Sequence, residues 1–234
     1  MNRRDFLTIL GIGLFELILP GKVKSYEGRK NGLVMAIDLT KLKDIDINGC
    51  IDVCHKTHNI PEIEYPKHKV QWIWKEKFSD VLSSQINVPE GFLGTSIPVL
   101  CNHCEQPYCV KVCPIGATFK REDGIVMMDY HRCIGCRFCM AACPYGARSF
   151  NWIDPRPFIK DQNPEFPTRS KGVVEKCNFC AERLDKGQSP ACVEASDGAI
   201  IFGDISEVRD VLSNRYAIRR KPELGTQPSV YYLI

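Results

Sequence analysis

Residues 133–144 read CIGCRFCMAACP, and a companion stretch, CNHCEQPYCVKVCP, occupies 101–114. In the first, Cys133, Cys136, Cys139 and Cys143 are spaced C-x2-C-x2-C-x3-C-P; in the second, Cys101, Cys104, Cys109 and Cys113 are spaced C-x2-C-x4-C-x3-C-P. Three thiolates on a tight loop face three irons of one cubane, while the fourth, carried off by the next helical turn before Pro, faces a neighbouring cubane. A tetrahedral zinc site also uses C-x2-C pairs, but it needs only two of them and leaves the third Cys and the Cys-Pro regularity unexplained. Covalent haem attachment is excluded because no C-x-x-C-H occurs.

Working outward, two weaker runs flank this pair. Cys177, Cys180 and Cys192 follow C-x2-C-x11-C, with Ser196 at the place of a fourth ligand. Cys50 and Cys54 have the x3 spacing that ends such a run, and counting back in threes puts its first two ligands at Asp44 and Ile47. If paired runs exchange their fourth ligands, pairing first with last and the two middle runs with each other gives three complete sets. These are Cys101, Cys104, Cys109 with Cys143; Cys133, Cys136, Cys139 with Cys113; and Cys177, Cys180, Cys192 with Cys54. Either other pairing leaves two incomplete sets. The nested pairing therefore predicts three 4Fe-4S clusters, uses twelve of the 13 cysteines, and leaves Cys50 as a small buried hydrophobe. It also predicts a fourth site at Asp44, Ile47, Cys50 and Ser196 that side chains close. Asp44, Ser196 and nearby His55 have metal-binding chemistry; Ile47 has none.

The rest of the composition is ordinary: 234 residues, 44% hydrophobic and 25% charged, with a core of normal size expected and wholesale disorder excluded. The odd cysteine count forbids complete internal disulfide pairing. The net charge of +3 is carried entirely by residues 1–30, so the remainder is neutral and lacks the broad basic field of a nucleic-acid binder. Arg3 and Arg4 precede Phe6, Leu7 and an apolar run to about Pro20, the order of a twin-arginine export signal. Glu16 interrupts the run, and no small-x-small triplet follows, so the segment is expected to stay attached. Fifteen helical residues reach only about 22 Å against a hydrocarbon core of roughly 30 Å, which suits a docked or interfacial anchor better than a span.

The expected class is α+β: two nested ferredoxin-like modules, each of the two-4Fe-4S type, with long loop insertions and a C-terminal tail. The inner module covers 95–150, the outer one 31–94 with 151–205, and the tail 206–234. Gly124–Asp129 reads as a short strand between the two middle runs. KVQWIWKEKF, with Trp72 and Trp74, alternates as a strand or hairpin does. Pro155, Pro157, Pro164 and Pro167 make 144–176 an extended loop. The tail offers one short helix near Ser206–Tyr216 and then an extended segment, expected with the other cysteine-free stretches to contact partners. His103, inside a cluster loop, is expected to structure that loop. No Ser/His/Asp grouping, phosphate-binding loop or paired-carboxylate motif stands out, so the chain has no visible substrate chemistry.

Over about residues 33–205 this pattern resembles the iron-sulfur electron-transfer subunits of membrane-bound respiratory reductases, the family that contains the dimethyl-sulfoxide-reductase and polysulfide-reductase small subunits. Within it, CHKTHNIP at 54–61, NPEFPTRSKGVVEKCNFC at 163–180 and KPELGTQPSVYYL at 221–233 look most like the DsrO type, the externally facing iron-sulfur subunit of Dsr redox complexes in dissimilatory sulfur metabolism. The loss of ligands at Asp44, Ile47 and Ser196 departs from a four-cluster pattern and suits a three-cluster member. The resemblance implies a non-catalytic subunit on the outer face of the cytoplasmic membrane. It implies as partners an integral membrane subunit of polysulfide-reductase type that handles menaquinone, a multihaem c-type cytochrome and other Dsr subunits. Two alternatives stay open: the electron-transfer subunit of a molybdopterin-dependent reductase, and a structural zinc protein. In a relay, the missing cluster is expected at an end, where its loss opens no gap.

Overall fold

The structure is a computed structural model describing residues 32–43, 47–82, 90–92 and 94–234. The twin-arginine segment and Asp44 lie outside the described residues. In chain order the elements are β1 (Leu33–Asp38), α1 (Ile47–Thr57), β2 (Ile73–Lys77), α2 (Phe78–Leu82), β3 (Ser96–Leu100), α3 (Tyr108–Lys111), β4 (Thr118–Lys120), β5 (Val126–Met128) and α4 (Phe138–Ala141). They continue with β6 (Ser149–Phe150), β7 (Val174–Glu175), α5 (Ala181–Leu184), α6 (Ala191–Glu194), β8 (Ile200–Asp204), α7 (Ile205–Ser213), β9 (Ala217–Ile218) and β10 (Val230–Leu233). The class is α+β. No helix among the described residues is long and apolar enough to cross a membrane.

The largest sheet has the order β8-β1-β10-β9. LVMAID in β1 is apolar on both faces because both are covered. It pairs antiparallel with β8, Leu33 opposite Asp204 through Ile37 opposite Ile200, and parallel with β10, Met35 opposite Val230 through Asp38 opposite Leu233. Val34, Ala36 and Leu233 pack with Ile205 and Val208 of α7. Met35, Ile37, Val230 and Tyr232 face the main core. Helix α7 starts on a capping box: the Ser206 N–H donates to Asp204 Oδ1 at 2.9 Å, and the Asp204 N–H to Glu207 Oε2 at 3.0 Å. The extended tail expected to lie on partners is therefore, over Val230–Leu233, an interior strand with Val230, Tyr232 and Leu233 fully buried.

KVQWIWKEKF supplies β2, antiparallel to β3, and Trp72 at its entry is buried. The strand read at Gly124–Asp129 is β5, antiparallel to β4 with Thr118 opposite Met128. Helix α1 buries Ile47, Cys50 and Cys54 along one side, the i, i+3, i+7 stripe of an amphipathic helix, and packs on α6. Short helices α3 and α4 pack on each other.

The proline-rich stretch 151–172 holds a single 3-10 turn, Arg156–Phe158. Asn59 anchors it: the Asn163 N–H donates to Asn59 Oδ1 at 2.7 Å, and Asn59 Nδ2 donates to the Phe166 carbonyl at 2.6 Å. Arg169 ends the anchor, pairing with Glu175 at 2.7 Å with both side chains out of solvent, and donating to the His58 and Asn59 carbonyls. Trp72 Nε1 and Asn151 Nδ2 donate to the same carboxylate.

Candidate iron-sulfur sites

The C-x2-C pair that opens each of the three runs sits on a turn. In all three the residue before the second cysteine has left-handed backbone: His103 at φ +40°, Gly135 at +71° and Phe179 at +56°. Non-glycine residues adopt this region only when their surroundings hold them there. His103 Nδ1 accepts the Val126 N–H at 3.0 Å, and its ring stacks on Phe179 with centroids 3.7 Å apart. The 101–104 and 177–180 loops are thus joined through their two strained positions, and His103 is a buried loop-structuring residue. Gly135 needs its missing side chain for a second reason: a Cβ there would collide with the Gly172 carbonyl oxygen.

Cys101, Cys104, Cys109 and Cys143 line one small pocket, together with Asn102, Arg148 and Thr226. Burial pushes the Cys104 thiol up to about 12, and Cys101, Cys109 and Cys143 beside it add to the rise. Cys143 is raised by burial and by Cys101. Thiols crowded in an apolar pocket do not lose their protons together unless a cation takes the charge, which is the donor set an iron cluster fits.

The second set surrounds α4. Cys139 is buried and packs with Cys109, Cys113 and Cys133; Cys136, half-buried, is on the same loop. Burial raises the Cys139 thiol against the pull of Arg148. Cys113 moves the other way. Burial pushes it up, but the N–H groups of Thr118, Ile115, Ala117 and Gly116 converge on the sulfur and leave it lowered. The backbone after the Cys-Pro step therefore forms a cradle of N–H donors suited to a thiolate.

In the third set Cys54, Cys177, Cys180 and Cys192 are all buried. Cys177 is pushed well up by burial and then by Cys54 and Cys101, and Cys192 by burial and then by Cys54 and Cys180. The N–H groups of Phe179 and Ala191 donate to the sulfurs of Cys177 and Cys180, each at 3.4 Å. His58 lies against Cys54, with Nδ1 3.7 Å from its sulfur and Nε2 2.8 Å from Glu182 Oε1. Burial alone would lower the imidazole, yet Cys180, Cys54 and Glu182 hold it well above its ordinary value.

The fourth set is different. Ile47, Cys50 and Ser196 are buried, but α1 already runs through 47 and 50 as helix, where a cluster loop would turn. The Cys50 thiol points to the Cys192 carbonyl at 3.6 Å. Ser196 Oγ donates to the Val193 carbonyl at 2.7 Å and accepts the Ile200 N–H at 3.0 Å, closing the turn after α6. His55 lines a separate groove with Asp52, Glu62 and Lys160.

Sequence reasoning passed over the cations among these sets. Lys176 is wholly buried, within electrostatic reach of Cys101 and Cys177, and donates to the carbonyls of Val126 and Cys177. Arg148 lies near Cys109, Cys139 and Cys101. Neither residue has a spacing signal; only the direct attachment of Lys176 to Cys177 hinted at its place.

A model of the 4Fe-4S dicluster domain family matches residues 94–156. The chain is 40% identical to the Hdr-like menaquinol oxidoreductase iron-sulfur subunit 1 of Archaeoglobus fulgidus, over 99% of this chain and 97% of that one. It is 37% identical to the menaquinone reductase iron-sulfur cluster-binding subunit of Nitratidesulfovibrio vulgaris, over 85% and 87%. With a putative dimethyl sulfoxide reductase iron-sulfur subunit of Halobacterium salinarum it shares 39% identity over 81% and 74%. The chain accordingly belongs to the dimethyl-sulfoxide-reductase-type family of 4Fe-4S iron-sulfur subunits.

Proposed function

We propose that this chain is a non-catalytic electron-transfer subunit holding three 4Fe-4S clusters in two nested ferredoxin-like modules. Cys54, Cys177, Cys180 and Cys192 hold the first; Cys101, Cys104, Cys109 and Cys143 the second; Cys113, Cys133, Cys136 and Cys139 the third. The clusters supply one-electron chemistry; the chain's part is to hold them in file, dry and close. The observation that carries this reading is the contiguity of the thiol sets: Cys101 lies in one buried cluster with Cys54, Cys177 and Cys192, and Cys109 packs with Cys113, Cys133 and Cys139 in the next. Beyond Cys192 lies Cys50, so the closed site falls at the end of the file and leaves no gap in it.

The chain serves, in this reading, a quinone-handling membrane subunit of polysulfide-reductase type and a multihaem c-type cytochrome, as a DsrO-type subunit of sulfur metabolism exported by the twin-arginine route to the outer face of the membrane. The names of its menaquinol and menaquinone relatives support the quinone side. A second reading, a subunit beside a molybdopterin catalytic chain, is favoured by relatives named as subunits of dimethyl sulfoxide reductase and tetrathionate reductase. Co-purification separates the two by bringing down a c-type cytochrome or a molybdopterin subunit. The direct test is anaerobic iron and acid-labile sulfide per chain, with EPR of the reduced protein. About twelve irons are expected; near sixteen would fill the closed site, and near zero with zinc present would overturn the reading.

A further inference from the structure

Two buried polar side chains on the pocket of Cys101, Cys104, Cys109 and Cys143 have donors with no acceptor among the described residues. Asn102 is 1% exposed, and both its amide oxygen and its amide nitrogen lack a hydrogen-bond partner there. Its counterpart in the C-N-x-C turn at 177–180 behaves otherwise: Asn178 Oδ1 accepts the Cys180 N–H at 2.8 Å, and its Nδ2 donates to Glu182 at 2.8 Å. Arg148 is 5% exposed. One nitrogen, Nη1, donates to Thr118 Oγ1 at 3.2 Å, while Nη2 has no such partner. Thiols of two different sets lie nearest it, Cys109 and Cys101 of one and Cys139 of the other, and Lys176, a cation within electrostatic reach, has the same sign and offers no counter-charge. A guanidinium keeps its charge at any ordinary pH, and burying it without a counter-charge is a heavy penalty. Thiolates and cluster sulfides supply that counter-charge and accept N–H bonds.

Resting on the three-cluster reading, we propose that Arg148 sets the reduction potentials of both clusters of the inner module, and that Asn102 sets that of the 101/104/109/143 cluster alone. A fixed positive charge and N–H donors to cluster sulfur both stabilise the more negative, reduced state and so raise its potential. The cluster of Cys54, Cys177, Cys180 and Cys192 gains nothing from either, its own asparagine being engaged by the loop and Glu182.

The test is EPR-monitored redox titration of the full chain carrying its clusters, with iron content measured on each sample. Arg148→Met is expected to move two of three midpoints to more negative potential, each by at least a tenfold change in the reduction equilibrium, about 59 mV for one electron. Arg148→Lys, which keeps the charge, is expected to recover most of that shift. Asn102→Leu is expected to move one of the same two midpoints and leave the other two in place. Because the Asn102 side chain bonds to none of the described residues, that variant keeps the test decisive should Arg148→Met fail to fold. Unmoved midpoints, or all three moving together, in samples holding wild-type iron would overturn this inference and leave the relay intact. A wild-type chain without iron would overturn the relay itself.

Discussion

Cys54 and Cys50 are one helical turn apart on the same buried side of α1, and their surroundings could hardly differ more. Cys54 meets Cys177, Cys180 and Cys192, with a left-handed C-x2-C turn opposite and N–H groups aimed at sulfur. Cys50 has Ile47 in its cluster, the Cys192 carbonyl as acceptor and the Cys192 thiol within electrostatic reach, while Ser196, at the place of the last ligand, is committed to its own turn. In the three-cluster reading, the lesson is that a cubane site is made by loop conformation as much as by thiols. Where 133–136 and 177–180 turn, 47–50 is helix, and a helix carries its i and i+3 side chains along a stripe into the core. The serine completes the closure by bonding to backbone that a ligand would have left free.

Four variants put that contrast at risk. The largest effect is expected from Cys54→Ala, which should remove one cluster, leaving about eight of roughly twelve irons, with a marked loss of thermal stability; retention of all iron would show that Cys54 is no ligand. Next comes Arg169→Met, which strands Glu175 in the shell around the open site and should destabilise the fold by about 3–5 kcal/mol in chemical denaturation. A change below about 1 kcal/mol would mean that the bonds from Trp72 and Asn151 satisfy the carboxylate alone. The double change Ile47→Cys with Ser196→Cys should add no iron and lower stability by about 1–3 kcal/mol, because the buried Ile200 N–H exchanges a hydroxyl oxygen for a weak, bulkier sulfur acceptor. A gain of about four irons would break the distinction between open and closed sites. Smallest of all, Cys50→Ala should leave iron and EPR spectra unchanged and alter stability by about 1 kcal/mol at most, the worth of one weak hydrogen bond.

Much of this was legible because ligand spacing is local. A C-x2-C turn and the helix after it are fixed by neighbours a few residues away, and the alternation in KVQWIWKEKF and the short apolar run at Val126–Met128 marked β2 and β5 in the same way. The sheet was not legible. β1 and β10 pair across nearly the whole chain in parallel register, and parallel pairing at that distance leaves no mark on either segment; VYYL after Pro228 read only as an extended tail. Arg148 was invisible for a related reason. It follows Cys143 by five residues in PYGARSF, at no spacing that marks it, and only the fold brings it beside Cys109 and Cys139.

That late strand also fixes an order of events during synthesis. The segment leading into β10 straps the loop of the 101/104/109/143 pocket: the Ser229 N–H donates to the Asn102 carbonyl at 2.8 Å, the Glu105 N–H to the Gln227 carbonyl at 2.8 Å, and the Gln106 N–H to the Thr226 carbonyl at 3.0 Å. Ser229 Oγ donates to the His103 carbonyl at 2.8 Å, and Thr226 itself borders the pocket. On the ribosome this strap emerges after every cysteine it covers. Until it does, the pocket stands unlatched, its four cysteines already made and the bonds from Thr226, Gln227 and Ser229 still missing.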